Sequence, residues 1–165
     1  MMTMEELMAQ FPRAGRVEWI GLRSARGADL ESVTSVEAIA GKGLAGDHSA
    51  KKKDTKRQVT LIMAEHLATA ASILGLDAVH PDLTRRNIVV RGINLQSLKG
   101  KRFRVGDAEL ELGAECHPCS RMETNLGPGG YNAMRGHGGW CAIVVNGGEI
   151  RVGDSLVVLG ASNAD

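Results

Sequence analysis

Short apolar segments separated by glycine turns run through most of this chain, and one such pattern occurs twice. The segments FRVGDAELEL (103–112) and IRVGDSLVVL (150–159) both read as strand, Val-Gly-Asp, strand. Glycine supplies the positive φ that a two-residue hairpin turn needs, so each copy predicts a β-hairpin. A further hairpin is predicted over 142–152, where an Asn-Gly-Gly turn separates two apolar runs.

The remaining apolar segments add more strands and one clear helix. Strands are predicted over 17–22, 33–39, 59–63 and 88–90, and an alanine-rich helix is predicted over 64–75. Many short strands, tight glycine turns and little helix are typical of a mostly β protein. The sequence therefore predicts an antiparallel β-barrel with a few short peripheral helices, and it does not favour a regular βαβ alternation.

The chain length fits one domain preceded by a short N-terminal element. Within residues 3–11, Thr3 and Glu6 have the spacing of a helix capping box. We expect an N-terminal extension or short helix over 1–14, a single barrel domain over 15–160 and a tail over 161–165.

Composition excludes several classes of protein. Hydrophobic residues make up 43% of the 165, enough to build a core, and the formal net charge of +1 argues against a nucleic-acid binder. The odd number of cysteines, three, argues against a disulfide framework. The N-terminus has no signal-peptide pattern, and no apolar run is long enough to span a bilayer. We expect a soluble cytoplasmic protein that binds neither nucleic acid nor membrane.

The segment 114–141 holds all three cysteines and is the expected functional site. Pro118 suits the first position of a short helix, which would place Cys119 in the first turn. Unpaired backbone N–H groups and the nearby charges of His117 and Arg121 would favour a thiolate there. Cys119 is therefore predicted to be a nucleophile, a sulfur carrier or a metal ligand, whereas Cys141 is predicted to be a core residue.

Glycine clusters and basic residues near this segment suggest an anionic ligand. Gly127, Gly129 and Gly130 can present consecutive N–H groups to an anion. A lysine-rich loop over 41–58 reads either as a solvated loop or as an electropositive lid. Arg135 and the run Gly136-His137-Gly138-Gly139 repeat the glycine pattern. A single glycine cluster would indicate a plain surface loop, but two clusters that flank the expected thiolate favour a phosphate-bearing ligand.

Four motifs, in the right order, resemble the MOSC domain, the C-terminal domain of molybdenum cofactor sulfurases. They are GLAGDH (43–48), RRNIVVRGINL (85–95), ECHPCSRM (115–122) and RGHGGWCAIVV…GGEIRVGD (135–154). The likeness covers roughly residues 15–160. It suggests a stand-alone, bacterial-type member of that family.

The resemblance implies a β-barrel and a pocket for the molybdenum cofactor, a pterin dithiolene that carries a phosphate. It also implies that Cys119 is the key sulfur, serving as catalytic residue and as molybdenum ligand. A soft thiolate suits this soft, sulfur-coordinated metal, and arginines, with Arg85 as a further candidate, suit a phosphate. The predicted cofactor-binding residues are Asp47, His48, Arg86, Asn87, Arg121, Gly129, Gly130, Arg135 and His137.

Four functions remain open on the sequence alone. The first is a molybdenum-dependent reductase of N-hydroxylated compounds, served by an external electron-transfer protein. The second is a persulfide carrier loaded by an external cysteine desulfurase. The third is a zinc or dithiol module based on Cys116-x-x-Cys119, and the fourth is a binding module without turnover. Pyridoxal phosphate is only an association of the wider family, because this chain is too short to include the desulfurase domain of the sulfurases.

Overall fold

The computed structural model describes residues 1–52 and 55–160, together with the backbone of 162–163. Its strands are β1 (Gln10–Phe11), β2 (Gly15–Leu22), β3 (Glu31–Val33), β4 (Ser35–Ile39), β5 (Gly43–Leu44), β6 (Val59–Met63), β7 (Ile88–Arg91), β8 (Arg102–Val105), β9 (Ala108–Glu115), β10 (Trp140–Asn146), β11 (Gly148–Arg151), β12 (Ser155–Val158) and β13 (Ser162–Asn163). Its α-helices are α1 (Met4–Met8), α2 (Ala64–Leu74), α3 (Ser120–Leu126) and α4 (Gly130–Met134).

Seven strands close into a barrel. Their order is β2-β7-β6-β10-β9-β8-β12, and β12 pairs back with β2 to complete the ring. Every neighbouring pair is antiparallel except β6 and β7, which are parallel. A parallel pair needs a crossover connection, and α2 supplies it, ending at Gly75 in the left-handed region. The predicted mostly β barrel with a few short helices is confirmed.

Where the helices cover the barrel, apolar residues are buried on both the inner and the outer face of the barrel wall. In β6, Val59 and Leu61 belong to the apolar cluster that fills the barrel. Ile62 of the same strand belongs to a second cluster, between the barrel and the helices, which also contains Met122 of α3 and Met134 of α4. Successive strand residues point to opposite faces, so burial on both sides explains why β6 is apolar with almost no alternation. The second cluster fixes α3 and α4 against the barrel wall.

Only one of the three predicted hairpins forms. The segment 103–112 folds as the β8–β9 hairpin, with Gly106 at φ 56° in its turn. The hairpins predicted over 150–159 and 142–152 are wrong, because β11 pairs with β4 rather than with β10 or β12. A Cβ on Gly148 would lie 2.4 Å from the carbonyl oxygen of Asp107. The chain therefore passes close against the barrel as it crosses into a second sheet, ordered β11-β4-β5.

Smaller differences occur at the edges of the barrel. The strand predicted over 33–39 is two strands, β3 beside β2 and β4 in the second sheet. The capping box of Thr3 and Glu6 is confirmed, although α1 stops at Met8. Of the predicted tail over 161–165, only the backbone of β13 is described, and it pairs with β1; the rest lies outside the described residues. None of the described helices has the length and apolar character needed to cross a membrane.

Candidate functional site

A cavity of about 270 Å³ opens at the end of the barrel where β2 and β9 finish and β6 and β7 begin. Its lining carries five cationic side chains, one carboxylate and three thiols. The cations are Arg23, Lys52, Arg57, Arg85 and Arg86, the carboxylate is Asp47, and the thiols are Cys116, Cys119 and Cys141. The excess of positive charge in this lining suits a negatively charged ligand.

Arg23 is a cavity residue that sequence reasoning missed. Its Nε is buried and has no hydrogen-bond partner among the described residues. A buried guanidinium donor without an acceptor is costly, so it calls for an acceptor on a bound guest. Arg23 follows β2 in a loop without a recognisable motif. Only its place in the folded barrel gives it a role.

Arg85 lies in the most crowded part of the cationic lining. It is the only non-glycine residue with a positive φ, 61°, in the described part of the chain. Burial lowers the pKa of its guanidinium, the charges of Arg23 and Arg121 lower it further, and Cys119 acts in the opposite direction. A non-glycine residue in this backbone region is strained, and such residues collect at functional sites. An anion beside Arg85 would relieve the repulsion between these arginines.

Arg86 holds the cysteine-bearing loop in place. Its Nε donates to the carbonyl oxygen of Gly138 at 2.7 Å, and its Nη2 donates to that of His117 at 3.5 Å. Both carbonyls belong to the segment between β9 and β10. Arg86 therefore links the start of β7 to both ends of the loop that carries Cys119.

Asp47 and Asn87 form a saturated polar network beneath the cavity. The Oδ1 of Asp47 accepts from the backbone N–H of Arg23 at 2.9 Å and from Nδ2 of Asn87 at 3.1 Å. Its Oδ2 accepts from the N–H of Ser49 at 3.1 Å and from the Ser49 hydroxyl. Asn87 donates also to Gly21 and accepts twice from Thr60 through Oδ1. Every side-chain bond that Asn87 can make is therefore used inside the protein, which fits a positioning role.

Cys119 is exposed and lies at the N-cap of α3. The prediction that Pro118 begins the helix and that Cys119 sits in its first turn is wrong. The backbone of Cys119 is extended, with φ −125° and ψ 176°, and its carbonyl accepts the N–H of Met122 at 2.9 Å as the helix starts. The thiol is therefore free of the helix interior and faces the cavity rim.

The other two thiols form a buried pair in the same cavity. The Sγ atoms of Cys116 and Cys141 are 2.8 Å apart, and the residues are 6% and 1% exposed. A hydrogen bond from Cys116 lowers the pKa of Cys141 to about 7, while the same bond and burial raise that of Cys116. Cys141 is buried, as predicted, but its sulfur also lines the cavity. No group of three or more His, Cys, Asp and Glu side chains suited to a metal occurs among the described residues.

A family model for the MOSC domain matches residues 40–157, which is more than half of the chain. The chain belongs to the MOSC domain family. The matched region contains every cavity residue except those in the loop after β2, Arg23 among them.

Solved structures give the same fold. The chain resembles the YUAD protein from Bacillus subtilis with a TM-score of 0.76 and 20% identity, over 88% of this chain and 96% of that one. YiiM from Escherichia coli matches with a TM-score of 0.69 and 18% identity, over 93% of this chain and 73% of that one. YiiM from Geobacillus stearothermophilus matches with a TM-score of 0.70 and 16% identity, over 88% and 75%. A search of curated proteins found no match.

The MOSC motifs divide between the cavity and the helical segment. Asp47, His48, Arg86, Asn87 and Cys119 line the cavity, together with Arg85. Five further predicted cofactor-binding residues do not line it: Arg121, Gly129, Gly130, Arg135 and His137. Of these, Arg121 lies close enough to Arg85 for its charge to lower the pKa of that guanidinium.

The glycine cluster of this MOSC domain already holds an anion of the protein itself. The N–H groups of Gly129 and Tyr131 donate to the Glu123 carboxylate at 2.8 and 2.9 Å. These two bonds lower the pKa of Glu123. Gly130 is needed for packing, because a Cβ there would lie 2.6 Å from the carbonyl oxygen of Met122. The cluster therefore joins α3 to α4.

We expect the MOSC domain to lose stability as the pH falls below about 6.5, the ordinary His pKa, because of His66. Burial lowers the pKa of His66, and the charge of His137, whose ring centroid lies 4.9 Å away, lowers it further. Glu65 acts in the opposite direction and raises this pKa. The unfolded chain then takes up this proton first, so stability is full above the unfolded pKa and declines below it. Urea midpoints from pH 8 to 5 should fall less steeply in His66→Gln. His117→Gln serves as control, because His117 is exposed and its bond with Arg86 uses the backbone carbonyl. Equal slopes in His66→Gln and wild type would contradict the assignment.

Proposed function

We propose that this MOSC domain binds the molybdenum cofactor in the cavity, with Cys119 as the ligand of molybdenum. The observation that carries the proposal is an exposed thiol at the rim of a cavity that contains a buried arginine nitrogen with no partner among the residues that the structure describes. A thiolate is a ligand suited to a soft metal, and guanidinium groups suit a phosphate. The side chains present therefore match both ends of the cofactor.

Each of the cavity residues would have a separate part in binding the cofactor. Arg23 and Arg85 would bind the phosphate. The Nε of Arg23 has no acceptor within the described part of the chain, and Arg85 lies close to other positive charges. Arg86 would keep the Cys119 loop against the barrel through its bonds to the carbonyls of Gly138 and His117. Asp47 and Asn87 would fix the loops below them through their saturated network. His48 contributes to the wall.

When bound, the cofactor would supply two-electron redox chemistry at the metal. The substrates we propose are N-hydroxylated compounds, which would be reduced with electrons from an external electron-transfer protein. Cys119 is exposed at the rim of the cavity, so a small substrate could reach a metal held by its thiolate.

Metal and pterin analysis of protein from a cofactor-competent host tests the proposal. Wild type should carry molybdenum and pterin in comparable amounts, whereas Cys119→Ser should lose at least the molybdenum. A Ser155→Ala variant, altered on a strand outside the cavity, should resemble wild type. If wild type carries no molybdenum, or if Cys119→Ser carries as much, the proposal fails.

A persulfide carrier is the second candidate, favoured by the exposure of Cys119 to a protein donor. The same preparations decide between the two after incubation with a cysteine desulfurase and free cysteine. A carrier should gain the mass of one sulfur on Cys119, about 32 Da, because a thiolate accepts sulfur from a persulfide by exchange. Loading on Cys119 without any bound molybdenum would favour the carrier, and loading on Cys141 alone would contradict it.

A further inference from the structure

The buried pair of Cys116 and Cys141 has the placement of a disulfide-forming dithiol. Cys116 directly follows β9, and its N–H donates to the carbonyl of Gly139, just before β10. Cys141 lies on β10 where the register against β9 shifts between Trp140 and Ala142. A register shift of this kind changes the direction in which side chains point at the end of a strand pair. Here the result is two sulfur atoms 2.8 Å apart, about 0.8 Å more than a covalent S–S bond of about 2.05 Å.

The surroundings favour ionisation of one sulfur of the pair. The hydrogen bond between the two sulfurs lowers the pKa of Cys141 and raises that of Cys116. The positive charges of Arg57 and Arg86 add a smaller effect that favours the thiolate form. A thiolate, rather than a thiol, is the form that reacts with oxidants. Arg57 and Arg86 both line the cavity, as the two sulfurs do. A small molecule that enters the cavity therefore encounters a dithiol in which one sulfur is favoured in its reactive thiolate form.

We propose that Cys116 and Cys141 are a redox-active site that small hydroperoxides oxidise to a disulfide within the cavity. In the first step the Cys141 thiolate attacks a peroxide oxygen. The S–O bond forms, the O–O bond breaks, and the alkoxide or hydroxide takes up a proton. The Cys116 sulfur then attacks the Cys141 sulfenic acid, so that the S–S bond forms, the S–O bond breaks and water leaves. Two thiols and one hydroperoxide give one disulfide, one alcohol or water, and one water.

Burial limits the reaction to small oxidants and separates the pair from Cys119. The two paired residues are at most 6% exposed and line the cavity, whereas Cys119 is exposed. A bulky disulfide such as oxidised glutathione should therefore react at Cys119 and leave the pair reduced. This assignment does not depend on the molybdenum cofactor.

The test uses purified full-length chain without added cofactor. Reduced protein is treated with stoichiometric hydrogen peroxide, denatured, alkylated and mapped by mass spectrometry. We expect a cross-link between the peptides of Cys116 and Cys141, two hydrogen atoms lighter than the free peptides, and its loss on treatment with dithiothreitol. Oxidised glutathione at the same dose should give a mixed disulfide on Cys119 and at least tenfold less cross-link.

Single variants make the result decisive. Cys119→Ser should form the same cross-link to the same extent as wild type. Cys141→Ala should form none, with its folding checked by circular dichroism. A cross-link between Cys116 and Cys119 would overturn the proposal, and so would two alkylated thiols at 116 and 141 in peroxide-treated Cys119→Ser. Equal cross-linking of Cys119→Ser by oxidised glutathione and by peroxide would overturn the selection for small oxidants.

Discussion

Replacing Arg23 with alanine should weaken phosphate binding in the cavity by roughly 10- to 100-fold, because a charge-assisted hydrogen bond contributes about 1.5–3 kcal/mol. The free energy of unfolding should hardly change. The side-chain Nε makes no bond within the described residues, and the contact with Asp47 uses the backbone N–H, which alanine retains. Removing the charge also relieves repulsion on Arg85. The measurement is the rise in melting temperature with inorganic phosphate, against chloride at equal ionic strength.

Arg104→Ala is the matched control for Arg23→Ala. Arg104 lies on β8, on a surface separate from the cavity. Its replacement by alanine removes the same charge from the protein as Arg23→Ala does. Its phosphate response should equal that of wild type. The assignment of Arg23 is contradicted if both variants keep the full response, or if both lose it equally, since the effect would then reflect net charge alone.

Replacing Asp47 with asparagine should lower the free energy of unfolding by about 2–4 kcal/mol, because each lost or opposed hydrogen bond of a buried group costs about 1–3 kcal/mol. Asp47 is 2% exposed. Each of its oxygens accepts from a backbone N–H, Oδ1 from Arg23 and Oδ2 from Ser49. An asparagine therefore directs its NH₂ group at a backbone donor whichever way its amide is turned. Urea denaturation at pH 7 measures the loss.

The exposed Asp77 supplies the control for Asp47. Asp77→Asn makes the same chemical change on the surface, and its free energy of unfolding should stay within about 0.5 kcal/mol of wild type. Asp47→Asn should also lose phosphate response, because the loops of Arg23 and Ser49 meet at this carboxylate. A stable Asp47→Asn protein would show that the network contributes little to the fold.

The sequence predicted those cavity residues that stand in local patterns. Cys119 stands out beside Pro118, and Arg86 and Asn87 stand at the start of an apolar strand. Arg23 has no such pattern, because it reaches the cavity only when the loop after β2 meets Asp47 across 24 positions of sequence. The glycines at 129 and 130 match an anion-binding pattern, but the N–H groups of Gly129 and Tyr131 bind the carboxylate of Glu123 instead. A local sequence motif shows which kind of interaction a segment can make. The folded structure determines which group it interacts with.

The fold was predictable in class but not in strand pairing. The Val-Gly-Asp turn at 105–107 joins paired strands, whereas the same three residues at 152–154 join β11 to β12, which lie in different sheets. The two copies differ in their long-range neighbours: β11 pairs with β4, and β12 with β8 and β2. A turn motif specifies a change of direction, and the strands available on either side determine the pairing.

The segment between β9 and β10 begins and ends at one point, since the N–H of Cys116 donates to the carbonyl of Gly139 at 2.8 Å. Glycine at 138 permits this approach, as a Cβ there would lie 2.1 Å from the carbonyl of Cys116. A segment whose ends already meet can gain or lose residues without stretching the strands that flank it. A change of length in the turn between α3 and α4 is therefore expected to leave the pairing of β9 with β10 in place.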